Sequence, residues 1–326
     1  MGALSSGLPS LFLAVVVWVS ARQATTGAIS IGDVVAVYGY VAVLVVPVAA
    51  FIEGGSDIAR AHVAGQRIIN LLNLPMAHEN NRDTVPIPLG SGPLADPDSG
   101  VIIRPGLLTA LVASRPAEAT SMIERLGRVT ATGETPATWA EVPIAETTAK
   151  DFRHRLVVAD NDAEVFAGTI REIVAGRFEP DDIRIREALH VAVADDIVQA
   201  LPGGLDATLA AHGRDLSGGQ RQRIRLARAI YSNPDILLAI EPTSAVDANT
   251  EAAMIDRLRD ARTTKTTVIT TTSPLILDRA DEVIVLIDNK AAAVGTHAHL
   301  LRTDPTYRAV VSRAQDGIDD QDPRDE

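Results

Sequence analysis

Nineteen consecutive residues, Val34 to Ile52, carry no charge. Backbone amides and carbonyls inside a bilayer must be satisfied within the segment, so a run of about 20 apolar residues reads as one membrane-crossing helix. Leu8–Ser20 is shorter, but no charged side chain precedes Arg22, and a first span beginning near Ala3 has the length it needs. The connection, Ala21–Asp33, is polar and holds a glycine, which makes the pair a helical hairpin. Trp18, Tyr38 and Tyr40 suit membrane interfaces, although both tyrosines lie deep for that role. A secretory signal peptide needs positive charge ahead of its apolar core, and Met1–Ser20 has none. The bland alternative is a buried soluble hairpin, because valine-rich runs also form core strands. Arg60 and Arg67 beyond the second span favour a cytoplasmic C-terminal side, with Arg22 counting against it.

These two stretches hold the apolar excess of a chain that is 46% apolar and also 22% charged. Beyond them, Ile58, Ala61, Ala64, Ile68 and Leu72 recur at helical spacing, which predicts a helix leaving the membrane. Pro75–Gly100 is rich in Pro, Gly, Asn and Asp and reads as a linker into a second domain. There, Leu107–Ala113, Leu156–Ala159, Ile236–Ile240, Val268–Thr271 and Val283–Ile287 are unalternated apolar runs, the pattern of parallel strands covered on both faces. Helical stretches alternate with them, so an α/β domain is expected. The expected organisation is two transmembrane helices over 1–56, a connecting helix and linker over 57–85, and the α/β domain over 86–314. Residues 315–326 hold six acidic side chains and one Arg and read as a disordered tail.

Several function classes drop out. Aromatics are 3%, too few for a stacking platform, and a net charge of −12 opposes nucleic acid as the main partner. The chain has no cysteine, which removes disulfide frameworks, zinc ribbons and thiol nucleophiles. His297 and His299 have a spacing a strand can offer to a metal, yet no fitting third ligand lies nearby, and no metal site is expected.

Leu216-Ser217-Gly218-Gly219-Gln220 precedes Arg221-Gln222-Arg223-Ile224-Arg225-Leu226-Ala227-Arg228-Ala229. A serine and two glycines before a helix offer a hydroxyl and backbone N–H groups to an anion. An apolar strand, Ile236–Ile240, then runs into Glu241-Pro242-Thr243-Ser244-Ala245-Val246-Asp247. Together these segments resemble the signature motif, Walker B strand and D-loop of ABC transporter nucleotide-binding domains. Val165–Glu172 is similar to the segment after the family's Q-loop, and Gly295–Leu301 to its terminal strand and turn. The front resembles the last two transmembrane helices of an exporter, so the resemblance implies four more helices preceding Met1. It also implies a P-loop NTPase-like domain, mostly parallel with a helical subdomain, in the cytoplasm of a cell-membrane protein.

The departures from the family's pattern fall on one side of its chemistry. A phosphate loop needs G-x-x-x-x-G-K-[ST], its glycines letting amides wrap the phosphates and its lysine meeting the outer oxygens. Here the junction reads Ala113-Ser114-Arg115-Pro116-Ala117-Glu118-Ala119-Thr120. Glu118 stands for the second glycine and Ala119 for the lysine; a carboxylate there repels a triphosphate, and Pro116 removes an amide donor. Only Thr120 keeps a residue type that ligates magnesium. Ile240 replaces the Walker B aspartate while Glu241 keeps the general-base residue type. The Q-loop position is assigned to Asp160 and the switch histidine position to Ser273. No aromatic occurs between Phe51 and Trp139 to stack on adenine.

In this family two domains sandwich ATP head to tail. What is lost acts on a domain's own nucleotide; what is kept, Ser217, Gly218, Gly219 and Gln220 with Ser244 and Asp247 of the D-loop, acts on the partner's. The resemblance therefore implies an exporter subunit with ATP and Mg2+ held mainly by a second ABC half with intact Walker A and B. The lipid bilayer is the other expected partner. Two further functions fit the residues: a non-catalytic regulatory or scaffold membrane protein, and a self-sufficient ATPase with an unorthodox phosphate loop. The basic residues Arg221, Arg223, Arg225 and Arg228 read as a solvated, ion-paired helix face.

Overall fold

The computed structural model describes residues 2–73, 85–87, 92–129 and 135–319, without the side chains of 2–10, 45–46, 48–49, 52–53 and 313–319. It divides into two compact units, Met1–Ala77 and His78–Glu326.

The first unit is a helical hairpin. α1 (Gly2–Thr25) and α2 (Ile31–Leu72) pack against each other. Ser30 starts α2 with a capping box: its hydroxyl accepts the Asp33 N–H at 3.2 Å, and the Asp33 carboxylate accepts the Ser30 N–H at 2.8 Å. Two of the amides that a helix start leaves without partners are thereby satisfied. α2 continues for 42 residues through Gly54 and Gly55, so the expected connecting helix is a continuation of the second apolar segment. At 1.5 Å per residue it is about 63 Å long. Leu11, Phe12, Trp18, Val35, Tyr40, Val43 and Phe51 are exposed along the hairpin. Among the described residues, no helix is long and apolar enough to cross a membrane.

The second unit opens with β1 (Leu94–Asp96), β2 (Val101–Ile103), β3 (Leu108–Ala113), α3 (Pro116–Leu126), β4 (Thr138–Trp139), β5 (Val142–Pro143) and α4 (Ala149–Arg155). It continues through β6 (Leu156–Ala159), β7 (Gly168–Thr169), α5 (Ile170–Ala175), α6 (Asp182–Val191), α7 (Asp195–Ala200), β8 (Thr208–Leu209), α8 (Gly218–Tyr231) and β9 (Ile236–Ile240). α9 (Ala248–Ala261), β10 (Thr266–Thr270), α10 (Pro274–Arg279), β11 (Glu282–Ile287), β12 (Lys290–Gly295), α11 (His297–Thr303) and α12 (Pro305–Asp319) complete it.

The six-stranded sheet has the order β12-β11-β3-β10-β9-β6. Every pairing in it is parallel except β11 with β12. All five apolar runs of the sequence are strands here, because burial on both faces removes the need for polar alternation. On β9, Ile236, Leu238 and Ile240 face a core shared with α3 and the small antiparallel sheet β2-β1-β4-β5. Leu237 and Ala239 face the opposite core, built with α5, α6, α8 and α9. Ala110 and Val112 join Tyr307, Val310 and Val311 in a third cluster under the C-terminal helices.

That third cluster changes the expected tail. α12, begun by buried Tyr307 and Val310, propagates to Asp319, since each further helical residue adds a hydrogen bond without a new nucleation cost. Residues 315–319 are therefore helical, and 320–326 lie outside the described residues. Most of the expected linker, 74–84 and 88–91, lies outside them too. Tyr307 also decides the fate of His297, whose Nδ1 lies 2.6 Å from the Tyr307 hydroxyl. Burial lowers the His297 imidazole from its ordinary value of 6.5, with Asp278 opposing the shift. Folding therefore favours the neutral ring, and the stability it contributes is present above pH 6.5 and lost as pH falls through the lower folded value. Thermal unfolding measured from pH 7.5 to 5.5 should show a larger fall in midpoint for the wild type than for His297→Gln.

Candidate functional site

Parallel pairing sets Leu111 beside Thr270 and Thr270 beside Ile240, so β3, β10 and β9 end together. β6 joins them, Ala159 pairing with Ala239. The carboxyl ends of such strands are where open α/β sheets place ligands. The residues just beyond each strand end therefore fix the chemistry available.

After β3 no wrapping loop forms. Two residues, Ser114 and Arg115, separate the strand from α3, which begins at Pro116. Proline suits the first helical position because its fixed φ is helical and the missing N–H is one the helix start leaves unpaired. Its effect is to make helix out of residues the family uses as phosphate-binding loop. Glu118 lies in the first turn, only 5% exposed, and its carboxylate is held by the Arg115 guanidinium. Arg115 also reaches Asp288 at 3.1 Å. Negative charge is stabilised at a helix N-terminus, so the chain's own carboxylate takes the place that suits an anion. The second Glu118 oxygen is buried without a hydrogen-bond partner. Ala119, at the lysine position, is buried, while Thr120 is half-buried on α3. One threonine and an arginine already paired with two carboxylates do not fit a magnesium-bound triphosphate.

After β9 the backbone turns sharply. Ile240 is buried in the core, and Glu241 has a φ of +41°, a region costly for a residue with a Cβ. Three hydrogen bonds hold the turn. The Glu241 N–H donates to Thr270 Oγ1 at 3.0 Å, and the Glu241 carbonyl accepts from the side-chain amides of Asn161 and Gln222. The Glu241 side chain is exposed. Asn161 thus brings a side-chain amide to this turn, while the carboxylate of Asp160, the residue the sequence assigns to the Q-loop, accepts the Asp162 N–H at 2.9 Å. The two are chain neighbours, and only the course of the loop after β6 distinguishes them. Ser273, which the sequence assigns to the switch position, donates to buried Glu251 at 2.7 Å, and Thr243 donates to the other oxygen of that carboxylate.

The signature segment is assembled and outward-facing. Ser217 caps α8: its hydroxyl accepts the Gln220 N–H at 3.2 Å, and Gln220 Oε1 accepts the Ser217 N–H at 2.8 Å. Ser217 and Gly218 are exposed, and the first amides of a helix have no partner inside it. Gln222, a residue the motif does not flag, ties this helix to the D-loop. Its Nε2 donates to Ser244 Oγ at 2.7 Å, and its Oε1 accepts the Ala245 N–H at 2.9 Å. Asp247 caps α9 through the Asn249 and Thr250 N–H groups, both at 3.0 Å, and the Thr250 hydroxyl and amide lower its carboxyl from the usual range. Ser217, Gly218, Gly219, Gln220, Ser244 and Asp247 thus belong to one ridge, while Thr120 stands apart on α3.

The basic residues of α8 depart from the expected solvated face. Arg223 does pair with Asp196 at 2.7 Å, but Arg221 donates to the Leu216 carbonyl at 2.6 Å and Arg228 to that of Glu164 at 3.0 Å. α8 is covered by neighbouring elements along much of its length, so its arginines serve backbone groups that water would otherwise solvate.

Gly219 shows how tightly the ridge is built. A Cβ placed there would lie 2.4 Å from the Ala245 carbonyl oxygen, whereas one on Gly218 would meet only the Ala245 Cβ at 3.8 Å. Gly219→Ala should therefore cost about 1–3 kcal/mol in urea unfolding, in the range of overpacking changes, and Gly218→Ala much less.

Comparison with known proteins agrees with this geometry. Residues 104–244 match the family described as ABC transporter. The chain is 33% identical over 219 residues to the probable multidrug resistance ABC transporter ATP-binding/permease protein YheI of Bacillus subtilis, covering 67% of this chain and 37% of that protein. It is 28% identical over 320 residues to the ATP-dependent lipid A-core flippase of Burkholderia orbicola, covering 93% of this chain and 54% of the flippase. The chain thus spans about half the length, or less, of these relatives. Among solved structures, an ATP-bound bacterial Atm1-family ABC exporter shares the fold with a TM-score of 0.70 at 24% identity, over 96% of this chain and 58% of that one. On its ABC domain and its exporter homologues, this chain belongs to the ABC transporter family.

Proposed function

We propose that this chain is one half of a heteromeric ABC exporter, that its own nucleotide site is inert, and that it completes the ATP site of a partner half. The observation carrying this reading is the contrast between two helix starts. At α3 the Glu118 carboxylate and Arg115 occupy the helix N-terminus, whereas at α8 the cap is neutral and faces outward. Random decay of function has no reason to spare the face that serves a partner while removing the face that serves the domain itself.

In this arrangement Ser217 and the Gly218 and Gly219 amides meet the γ-phosphate of ATP held with Mg2+ by the partner's intact Walker motifs. Ser244 and Asp247 border the same nucleotide. Glu241 has no magnesium-bound nucleotide of its own to act on and serves as the turn residue after β9. The 19 uncharged residues from Val34 and the exposed apolar side chains of α1 and α2 support a membrane-spanning hairpin, in contact with lipid and with further helices. The α/β unit then lies on the cytoplasmic side of the cell membrane. The relatives are named for lipid A-core and multidrug transport, and an exported substrate of comparable amphipathic character suits this chain.

The test is the ATPase rate of the heteromer purified from its native membrane. Ser217→Asp keeps a good helix cap, and hence the fold, while setting a carboxylate against the phosphate. Ser217→Asp and Ser217→Arg should each lower the rate by roughly 100-fold, the size of effect seen on loss of a phosphate- or oxyanion-stabilising contact. Full activity in both variants would sink the proposal and leave a scaffold role. Binding of labelled ATP by this chain alone would instead favour a self-sufficient ATPase.

A further inference from the structure

The buried face of α9 carries one charged side chain. Met254, Ile255 and Leu258 pack into the core, but Glu251, one turn after the Asp247 cap, sets a carboxylate among them at 9% exposure. Burying such a group is costly unless its oxygens are hydrogen-bonded, and apolar replacement of buried charge is often neutral or stabilising. Here each oxygen has its own donor at 2.7 Å, the Thr243 hydroxyl on Oε1 and the Ser273 hydroxyl on Oε2. An ionised carboxylate only accepts, so both hydroxyl protons are committed to it. Stability alone gives no reason to prefer this arrangement to another apolar residue, and what it adds is direction.

The direction is imposed on the D-loop. Thr243, itself buried, is the residue just before Ser244, and Asp247 is the last of the turn. Both ends are fastened to the first turns of α9: Thr243 to Glu251 on one side, Asp247 to the Asn249 and Thr250 N–H groups on the other. Between them the Val246 N–H donates to the Thr243 carbonyl at 3.2 Å, so the turn inherits the placement of Thr243. Beyond Glu251, the Ser273 N–H donates to Thr271 Oγ1 at 3.0 Å, and the Thr271 N–H donates to the Leu111 carbonyl on β3 at 3.2 Å. Glu251 therefore ties the turn after β9 to the ends of β10 and β3, and every anchor in the set is a protein group.

We propose that Glu251 is a positioning residue for the partner's ATP site. By fixing Thr243 it sets the D-loop, so that Ser244 and Asp247 border the partner's nucleotide whatever this chain's own site holds. The inference rests on the partner-ATP reading and supplies what that reading needs: an inert site has no nucleotide of its own to order the turn beside it, and the two short hydrogen bonds of Glu251 order it instead.

The test is the kcat and KM for ATP of the heteromer purified from its native membrane, expressed per assembled heteromer counted by gel filtration. Thr243→Val keeps the shape of the side chain and removes the hydroxyl; Thr243→Ser keeps the hydroxyl. Thr243→Val and Glu251→Gln should each lower kcat about tenfold, the scale of a small misplacement of a positioned group, with KM unchanged because the partner's Walker motifs hold the ATP. Thr243→Ser should retain at least half of the wild-type kcat. A purely structural role would reduce the yield of heteromer and leave kcat per assembled heteromer unchanged, and that result overturns the proposal. Amide hydrogen exchange of the full chain in detergent gives a second readout: Thr243→Val should speed exchange at 244–247 at least tenfold and leave β9 and β10 unchanged, and unaltered exchange at 244–247 also overturns it. Failure of the parent reading is distinguishable, since it shows as full activity in Ser217→Asp, whereas failure of this inference alone shows as activity lost in Ser217→Asp and kept in Thr243→Val and Glu251→Gln.

Discussion

The Ala245 carbonyl stands where a side chain at position 219 would begin. That contact is possible only because residue 219 is glycine, and it holds the start of α8 against the turn after β9. Gln222 fastens the same junction with bonds to Ser244, the Ala245 N–H and the Glu241 carbonyl. Asn161 closes it from the end of β6. Three segments thus meet around a few backbone groups, and the left-handed φ of Glu241 is maintained by their combined hydrogen bonds. The outward-facing hydroxyl and amides at Ser217, Gly218 and Gly219 owe their fixed placement to this junction.

α3 and α8 solve one electrostatic problem in opposite ways. Each helix has a positive N-terminal end at the rim of the sheet, and each end attracts an anion. α3 supplies its own through Glu118, with Arg115 as counter-ion, and its proline start converts loop to helix. α8 supplies only a neutral capping box, which satisfies two amides locally and leaves the dipole facing outward. Glu118 and Pro116 therefore act together, since the carboxylate reaches the helix end only because helix begins at residue 116.

Much of this was legible in the sequence. β3, β6, β9, β10 and β11 fall within two residues of the uncharged apolar runs, because a strand buried on both faces carries an unbroken signal. β1, β2, β4 and β5 were not legible. They are two or three residues long, and the buried side chains of Leu94, Ile103 and Trp139 give too few repeats to display a period of two. The signature and D-loop were readable because glycine and capping residues there answer local backbone demands. Gln222, Asn161 and the Thr243–Glu251–Ser273 set were not, since each acts across the fold and its partner is known only once the chain has turned. The same holds for the arginines: a helix-face pattern does not reveal that neighbouring elements cover Arg221, Arg225 and Arg228.

Two structural parts, α8 and the end of β6, hold the signature ridge in place. α8 carries Ser217 at its cap and Arg225 and Arg228 two to three turns further along one helix. On the other side, β6 ends at Ala159, and Asn161, two residues further on, bonds the Glu241 carbonyl and Ser244. Packed cores transmit displacement because their density leaves little room for independent adjustment. Displacement of either α8 or the end of β6 is therefore felt at the D-loop turn held between them, and the Gly219–Ala245 contact leaves that turn no slack.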